Sequence, residues 1–415
     1  MGSKILPEFN IIWNENKAVL IDPKSKVCLG VSKKIAQNLE NKSVQEKLYP
    51  IWKEQIEWRR KIDEKHNSIN TVYFMVTRLC NINCKFCAIN ANQNIQLNKE
   101  LKLSDIRKLV IPLLREISPH KLIITGGEPF VKDKIEKIIT EIHGKVDCQI
   151  VLQSNGLALK EQVLIQIAPC IKEINFSTKH MFESYEREEQ LRKNIKLSQN
   201  AGLKVLLSFI YDKKNRKDLF KLLDIAAEFD LKILVNYAAP VGRARENFCS
   251  LTEMDIIEMN LDIAEYILAH NYENKKLSGI TDSIIQIRDS CGAYGKVMAI
   301  FPEGKIYMCQ CLEDEKFCLG DIKNDSSEKI GRHLIEKLNQ ENIKKAFCVD
   351  YKENCGTCDY KYLCGGKCQI SRRSTCHLLK EMIKYQLFYK EKKESKKEEL
   401  EQYITFLKNL KQNLE

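Results

Sequence analysis

Apolar and polar positions alternate along the middle of the chain in a way that predicts pairs of strands and helices. Short apolar or β-branched runs are typical of buried strands, and longer runs with helical spacing of apolar residues separate them. The predicted strands are Thr71–Thr77, Lys121–Thr125, Cys148–Gln153, Ile171–Ser177, Leu203–Ile210 and Leu231–Tyr237. The predicted helices lie near residues 104–117, 131–143, 160–168, 184–201 and 215–229. Residues 71–237 are therefore expected to form an α/β fold whose parallel sheet curls toward a barrel through right-handed crossovers.

The N-terminal residues 1–70 show a different pattern, which predicts a small α+β module. Residues 10–23 read as two short strands around a polar turn, and helical patterns follow at Lys33–Leu39 and Val44–Lys61. Strands followed by helices in this order resemble the leader-recognition elements of peptide-modifying enzymes, which bind a substrate leader as an added strand. A cap that packs on the barrel is the alternative.

Beyond the barrel, the pattern divides the chain into three further regions. Residues 238–290 are predicted to form a bridge, with a loop at Pro240–Ala244 and a helix near residues 252–270. Residues 291–376 are dense in cysteine and poor in long periodic elements. Residues 377–415 form a charged, helical tail whose apolar positions are expected to pack on the protein itself: Leu400, Tyr403, Ile404, Leu407 and Leu410.

Composition predicts a cytoplasmic protein whose cysteines bind metal. No apolar stretch suits a signal peptide or approaches the ~18 residues needed to span a bilayer. Seventeen cysteines without an export signal favour metal ligation over disulfides. The net charge of +11 is spread over lysine-rich helical surfaces, and no aromatic-and-basic motif indicates nucleic acid. We therefore expect neither a nucleic-acid nor a membrane partner.

Two motifs follow successive predicted strands and carry the first candidate chemistry. Cys80, Cys84 and Cys87 have the spacing C-x3-C-x2-C, which can hold three irons of a [4Fe–4S] cluster and leave the fourth open to a small molecule. A structural zinc site or buried structural cysteines are the alternatives, but zinc sites usually have four ligands. One strand later comes Gly126–Pro129, where two glycines allow close backbone approach to a ligand.

This combination resembles the radical S-adenosylmethionine (SAM) superfamily. The resemblance implies a partial (β/α)6 TIM-like barrel in which the open iron binds the amino and carboxylate groups of SAM, and the GGEP motif binds its methionine amino group. The residues that would contact SAM by this resemblance are Phe86 at the adenine, Gly126, Gly127, Glu128 and Pro129 at the amino group, and Ser154, Asn155 and Ser177 at the carboxylate or ribose. For the last three, ordinary polar residues at strand ends are the alternative.

A second set of cysteines near the C-terminus resembles the SPASM domain, which holds two auxiliary [4Fe–4S] clusters. Their order is C-x12-G-x4-C, then C-x2-C-x5-C-x3-C, then one further cysteine. The resemblance assigns Cys291, Cys309 and Cys368 to the first auxiliary cluster and Cys355, Cys358, Cys364 and Cys376 to the second. The first cluster then has either an iron open to a substrate thiolate or a fourth ligand among Cys311, Cys318 and Cys348. Zinc knuckles are the alternative for Cys355 and Cys358.

These resemblances imply that the protein cleaves SAM reductively and uses a 5'-deoxyadenosyl radical to abstract a hydrogen from a peptide. The expected product is a thioether or other oxidative cross-link in a ribosomally made precursor peptide, whose leader the N-terminal module would bind. Flavodoxin or ferredoxin would supply electrons. The alternatives are a tetrapyrrole-tailoring enzyme, an electron carrier and a sulfatase-maturating enzyme. In the last family an aspartate base follows the cysteine equivalent to Cys309, where this chain has Gln310.

The sequence does not identify a catalytic base. Polar residues near predicted strand ends are candidates, and each is equally compatible with an ordinary surface position. They are Lys179, His180, Tyr237 and Arg243.

Overall fold

The computed structural model of the chain is a mixed α/β structure and describes residues 6–63, 69–95, 99–247, 251–282, 285–366, 368–370 and 375–414. Within these ranges no helix is both long enough and apolar enough to cross a membrane.

The strands form two sheets, one small and antiparallel and the other large and mostly parallel. The strands are β1 (Asn10–Trp13), β2 (Lys17–Asp22), β3 (Val27–Ser32), β4 (Thr71–Met75), β5 (Lys121–Thr125), β6 (Gln149–Ser154), β7 (Glu173–Ser177), β8 (Lys204–Tyr211), β9 (Lys232–Tyr237), β10 (Val297–Ile300), β11 (Lys305–Tyr307) and β12 (Cys318–Asp321).

The first two helices pack with the small sheet, and later helices connect the strands of the large sheet or lie around it. They are α1 (Lys33–Gln37), α2 (Lys42–Asp63), α3 (Leu103–Asp105), α4 (Ile111–Ile117), α5 (Ile135–His143), α6 (Glu161–Ile167), α7 (Tyr185–Asn200), α8 (Arg216–Glu228), α9 (Ala244–Asn247), α10 (Glu253–Ala269), α11 (Ser327–Asn339), α12 (Glu341–Phe347), α13 (Lys361–Cys364), α14 (Cys376–Lys384) and α15 (Lys396–Gln412). A single π-helical turn joins α3 to α4.

The six predicted barrel strands are confirmed, each within two residues of its expected ends, and they pair in parallel in chain order from β4 to β9. Their outward side chains, such as Phe74 and Phe176, are fully buried against the helices. Inward side chains from β6 to β9 line one shared cavity, as expected for a curved sheet. This is the partial barrel that the alternation predicts.

The sheet does not stop at β4, which the sequence pattern did not indicate. β10 pairs in parallel with β4, and β11 and β12 continue in antiparallel fashion, so the large sheet has nine strands. The start of the cysteine-rich region is therefore continuous with the barrel rather than a separate unit. These strands have only three or four residues each, too few for alternation to be recognised.

The N-terminal module is a three-stranded antiparallel sheet with β2 in the centre. Leu20 on one face packs toward Leu48 of α2. Ile21 on the opposite face packs against Val349 and Leu363 of the cysteine-rich region. The module thus docks on the C-terminal region, and β3 is left as an edge strand.

The C-terminal tail folds as predicted. All five apolar positions of its stripe are buried in α15, which packs along α10. Lys411 of α15 also donates to Glu258 of α10 at 2.8 Å.

Candidate functional site: a three-cysteine loop over the barrel cavity

A buried carboxylate fixes the start of the loop that carries Cys80, Cys84 and Cys87. Glu100 is only 4% exposed and accepts hydrogen bonds from the Thr77 hydroxyl at 3.0 Å and the Arg78 amide at 2.7 Å. Lys132 Nζ pairs with the other Glu100 oxygen at 2.9 Å, which compensates the buried charge. The chain therefore leaves β4 in one fixed direction.

The loop places three free thiols along the edge of the cavity. Burial, together with the nearby Cys87, raises the pKa of Cys80 to about 11 and that of Cys84 to about 12. Such thiols stay protonated at neutral pH unless a metal displaces the proton. His180 Nε2 lies 2.9 Å from Cys84 Sγ, and its Nδ1 lies 2.7 Å from Glu183.

The two glycines of the GGEP motif are required by a close approach between backbones. A Cβ on Gly126 would lie 2.5 Å from the Thr77 oxygen, and one on Gly127 would lie 2.1 Å from the Leu79 oxygen. The Gly127 amide donates to Thr77 at 2.7 Å, and the Glu128 amide donates to Leu79 at 2.9 Å. This turn therefore holds the cysteine loop against the end of β5.

Glu128 is buried behind the cavity wall, and its contact with the SAM ammonium stays a prediction of the motif. Its side chain is 0% exposed and accepts hydrogen bonds from Ser154 Oγ at 2.8 Å and the amides of Asn155 and Phe130 at 2.7 and 3.0 Å. Burial raises the pKa of Glu128, and these hydrogen bonds lower it. Burial has the larger effect, so the pKa is raised to about 7. Its lone pairs are used within the protein, so its carboxylate positions the end of β6. Pro129 is likewise buried.

Ser154 and Asn155 also direct their polar atoms largely to the protein. Ser154 Oγ accepts from the Gly156 amide at 2.8 Å in addition to its bond to Glu128. Asn155 Nδ2 donates to Asn81 Oδ1 at 2.8 Å and lies 3.9 Å from Cys80 Sγ. Both residues line the cavity, but their hydrogen bonds mainly hold the cysteine loop to the sheet.

An arginine from the far side of the barrel clamps the same loop. Arg243 follows β9, and its guanidinium donates to the carbonyls of Cys84 at 2.8 Å and Ala91 at 2.7 Å, while its amide donates to Cys87 at 3.0 Å. The preceding Gly242 has φ +54°, and a Cβ there would meet the Cys87 oxygen at 2.3 Å. Arg243, considered from sequence as a candidate base, therefore positions the loop, and no sequence motif signalled the contact.

We expect Arg243→Lys to weaken cluster binding, because a lysine cannot span both carbonyls. Loss of one hydrogen bond from a charged donor costs about 1.5 kcal/mol, so SAM cleavage should fall roughly tenfold. Iron content measures cluster binding, and 5'-deoxyadenosine formation measures SAM cleavage. Arg245→Lys is the matched control, since Arg245 is exposed on α9. Equal behaviour of both variants would contradict the clamp.

The loop covers a cavity of about 360 Å³ whose wall is mostly uncharged. Phe86 and Ser177, both expected to contact SAM, lie in this wall. Lys179 Nζ lies 4.5 Å from the centre of the Phe86 ring and pairs with Asp212 at 2.5 Å. Tyr237, another candidate base, packs instead with the outer hydrophobic core.

Amide and hydroxyl side chains form the inner part of the wall, and sequence reasoning missed them. They come from four strands: Gln153, Asn175, Ser208 and Asn236. Asn175 is 6% exposed, and among the described residues no partner reaches its Oδ1 atom. A buried acceptor without a partner is costly unless a ligand satisfies it. Alternation of inward positions could have identified Asn175, because it lies between the outward-facing Ile174 and Phe176 of β7.

The C-terminal cysteines form two further groups. Cys364 lies close enough to Cys355, Cys358 and Cys376 for all three to raise its pKa, together with burial. The Cys309 and Cys311 thiols influence each other, which raises the pKa of Cys309 and lowers that of Cys311, and Cys368 opposes the lowering at Cys311. For these groups and the loop, no three described His, Cys, Asp or Glu side chains are close enough to surround one metal ion.

Cys291 lies on the same side of the β10–β11 hairpin as Cys309, as the pairing of these two strands shows. It precedes β10, and Cys309 follows β11; because these strands are antiparallel, both cysteines lie at the same end of the hairpin. Its amide donates to the Phe347 carbonyl at 3.0 Å.

Comparison with known proteins finds a family match for the middle of the chain. Residues 74–226 match the family model described as the Radical SAM superfamily. The chain is 22% identical over 300 residues to a GTP 3',8-cyclase of Helicobacter pylori, covering 67% of this chain and 91% of that protein. A GTP 3',8-cyclase of Clostridium perfringens is 23% identical over 318 residues, covering 68% of this chain and 94% of that protein.

Solved structures resemble the chain over a longer range. SuiB of Streptococcus suis bound to S-adenosylmethionine has a TM-score of 0.52 and 16% identity, covering 90% of this chain and 99% of SuiB. SuiB has also been solved bound to its precursor peptide SuiA. The anSMEcpe structure with AdoMet and the Cp18Cys peptide has a TM-score of 0.55 and 14% identity, covering 83% of this chain and 99% of that one. At these identities the likeness demonstrates a shared fold.

Proposed function

We propose that this chain, whose residues 74–226 match the Radical SAM superfamily model, is an enzyme that oxidatively cross-links a ribosomally made peptide with the help of two auxiliary iron–sulfur clusters. The observation that carries this proposal is a combination of two cysteine sets. Cys355, Cys358 and Cys376 lie near Cys364, and the loop with Cys80, Cys84 and Cys87 precedes them in the chain. Four thiolates are the full ligand set of a [4Fe–4S] cluster.

The three cysteine groups fit their proposed cofactors by the chemistry of their donors. Cys80, Cys84 and Cys87 provide one thiolate fewer than a cubane requires, so one iron stays available to SAM. When bound, the cluster and SAM supply a 5'-deoxyadenosyl radical, which abstracts hydrogen from an unactivated carbon. The chain's own residues hold the cysteine loop, enclose the cavity and exclude water from it.

The uncharged wall of the cavity favours a peptide over a nucleotide. Asn175, Asn236 and Gln153 present amides that can pair with peptide N–H and C=O groups. The relatives named GTP 3',8-cyclase suggest a triphosphate substrate as the second candidate. A triphosphate requires several Arg or Lys side chains. Among the described residues that line this cavity, Lys179 is the one Lys or Arg side chain, and it is paired with Asp212.

Gln310 argues against formylglycine formation. Its Oε1 lies 3.2 Å from Cys309 Sγ, so an amide occupies the position where that chemistry would need a carboxylate base.

A cleft beside the edge strand β3 is the proposed binding site for the leader of the precursor peptide. The cleft has a volume of about 830 Å³ and lies between β3, α2 and the chain before β10. Lys26, Arg59, Arg288 and Lys296 contribute positive charge to its wall. An extended, acidic leader would add a strand to β3 and pair with these side chains.

The proposal is tested by the mass of a candidate peptide after reaction. The iron-loaded protein is incubated without oxygen with SAM, a flavodoxin or ferredoxin, and a Cys-containing peptide encoded beside its gene. We expect the peptide to lose two hydrogens, and a peptide without its leader to react far more slowly. An unchanged peptide together with consumption of GTP in a parallel reaction would contradict the proposal in favour of a nucleotide substrate.

A further inference from the structure

Arg78 joins the cysteine loop to the start of the cysteine-rich region. It lies two residues before Cys80, and its side chain is only 15% exposed. Its Nε and Nη2 atoms donate to the two Glu303 oxygens at 2.5 and 3.2 Å, and Nη1 donates to the Ile89 carbonyl at 2.8 Å. Both Nη atoms also donate to Glu313, Nη1 at 3.2 Å. Each N–H group of the guanidinium therefore has an acceptor.

The two carboxylates that bind Arg78 come from different parts of the cysteine-rich region. Glu303 lies in the turn between β10 and β11, and Glu313 lies two residues after Cys311. They are 225 and 235 residues away from Arg78 along the chain. The guanidinium carbon also lies 5.4 Å from the centre of the fully buried Phe301 ring. One side chain thus connects the cysteine loop with two distant segments.

This connection is stronger than an ordinary ion pair at the surface. Bidentate binding of a carboxylate holds a guanidinium in one geometry, and Arg78 binds both carboxylates in this way. Its low exposure also reduces screening by solvent. Arg243 and Gly127 hold the cysteine loop to the barrel, whereas Arg78 holds it to the region that carries the proposed auxiliary ligands.

We propose that Arg78 is a positioning residue that keeps the cysteine loop and residues 309–313 at a fixed distance from each other. This inference rests on the auxiliary clusters of the proposed function. In that function the 5'-deoxyadenosyl radical takes one hydrogen atom from a peptide carbon. The peptide sulfur loses its proton and bonds to this carbon, and the remaining electron passes to an auxiliary cluster. Displacement of one site from the other then slows the later steps more than SAM cleavage.

Glu313→Ala tests this connection from the side remote from the cysteine loop. Glu315→Ala is the matched control, because Glu315 belongs to the same segment but pairs with Lys305. Backbone hydrogen exchange of residues 80–92 is measured on the iron-loaded full chain without oxygen, and 5'-deoxyadenosine and modified peptide are quantified in parallel. We expect Glu313→Ala to accelerate exchange in the loop roughly fivefold. It should also raise the amount of 5'-deoxyadenosine per modified peptide, and Glu315→Ala should do neither.

Glu313→Ala should have no further effect in a chain that already carries Arg78→Gln, because the partner of Glu313 is then absent. Loop exchange in Glu313→Ala that matches Glu315→Ala would overturn the inference. An equal loss of 5'-deoxyadenosine and modified peptide, with an unchanged ratio, would also overturn it, because the change would then act on SAM cleavage alone.

Failure of the proposed function gives a different result. If the protein without substitutions cleaves SAM and leaves the peptide unchanged, the proposed function is wrong. Faster loop exchange in Glu313→Ala would then still support the connection through Arg78. Unchanged exchange would overturn the connection as well.

Discussion

Cys80→Ala should reduce 5'-deoxyadenosine formation to the level of a reaction without protein. Cys80 is the buried member of the loop triplet, and its removal leaves two thiols at a site where a [4Fe–4S] cluster needs at least three. Cys355→Ala should leave SAM cleavage nearly unchanged and abolish the modified peptide, because Cys355 belongs to the separate group around Cys364. Chromatography of 5'-deoxyadenosine and peptide mass report the two effects.

The matched control is Cys170→Ala, since Cys170 packs beside the hydrophobic core next to α6 and lies outside the three cysteine groups. It should retain both activities and the full iron content. Cys80→Ala that still cleaves SAM would contradict the cluster loop, and Cys355→Ala that still yields product would contradict a required second auxiliary cluster.

Gly127→Ala should have the second largest effect, because the added Cβ would collide with backbone rather than with a flexible side chain. It would lie 2.1 Å from the Leu79 oxygen and 2.7 Å from the Leu79 carbonyl carbon, one residue before Cys80. Overpacking of this kind costs about 3 kcal/mol. We expect displacement of the cysteine loop, with at least a tenfold loss of SAM cleavage and loss of about four irons per chain.

Gly279→Ala is its control, since an added Cβ there would meet nothing within 4 Å. Thermal unfolding, iron content and SAM cleavage should stay close to those of the unmodified protein in the control. A Gly127→Ala protein with normal iron and normal SAM cleavage would show that the close approach is not needed to shape the site.

The barrel could be predicted from sequence because its strands are long and its connections regular. Runs such as Lys121–Thr125 are apolar, end at turn residues and alternate with amphipathic helices, and the structure reproduces that run without change. The short strands β10 to β12 gave no such signal, so their pairing with β4 required the folded chain.

The candidate site was only partly predictable, because residue spacing does not reveal which side chains meet in the folded chain. The cysteine spacings indicated which thiols to group, but spacing alone left three cysteines open for the first auxiliary cluster. The folded chain brings Cys311 near enough to Cys309 to raise its pKa, which spacing does not reveal. Likewise, the GGEP motif indicated a carboxylate near SAM without revealing that Glu128 is buried and bound by Ser154 and Asn155.

Contacts between distant segments were the least predictable part. Arg243 lies 159 residues after Cys84 and reaches it only because β9 ends at the same edge of the barrel as β4. Similarly, Glu100 organises the cysteine loop from a position where the sequence shows an ordinary charged residue.

Transfer of deuterium from the peptide to 5'-deoxyadenosine tests the central claim most directly. The precursor peptide is prepared with deuterium on its side-chain and α carbons and incubated with the iron-loaded protein, SAM and reductant. The account predicts 5'-deoxyadenosine heavier by one mass unit and a peptide that has lost one deuterium from carbon and one proton from sulfur. Abundant 5'-deoxyadenosine without deuterium, from a peptide that remains intact, would contradict the claim that a peptide is the substrate.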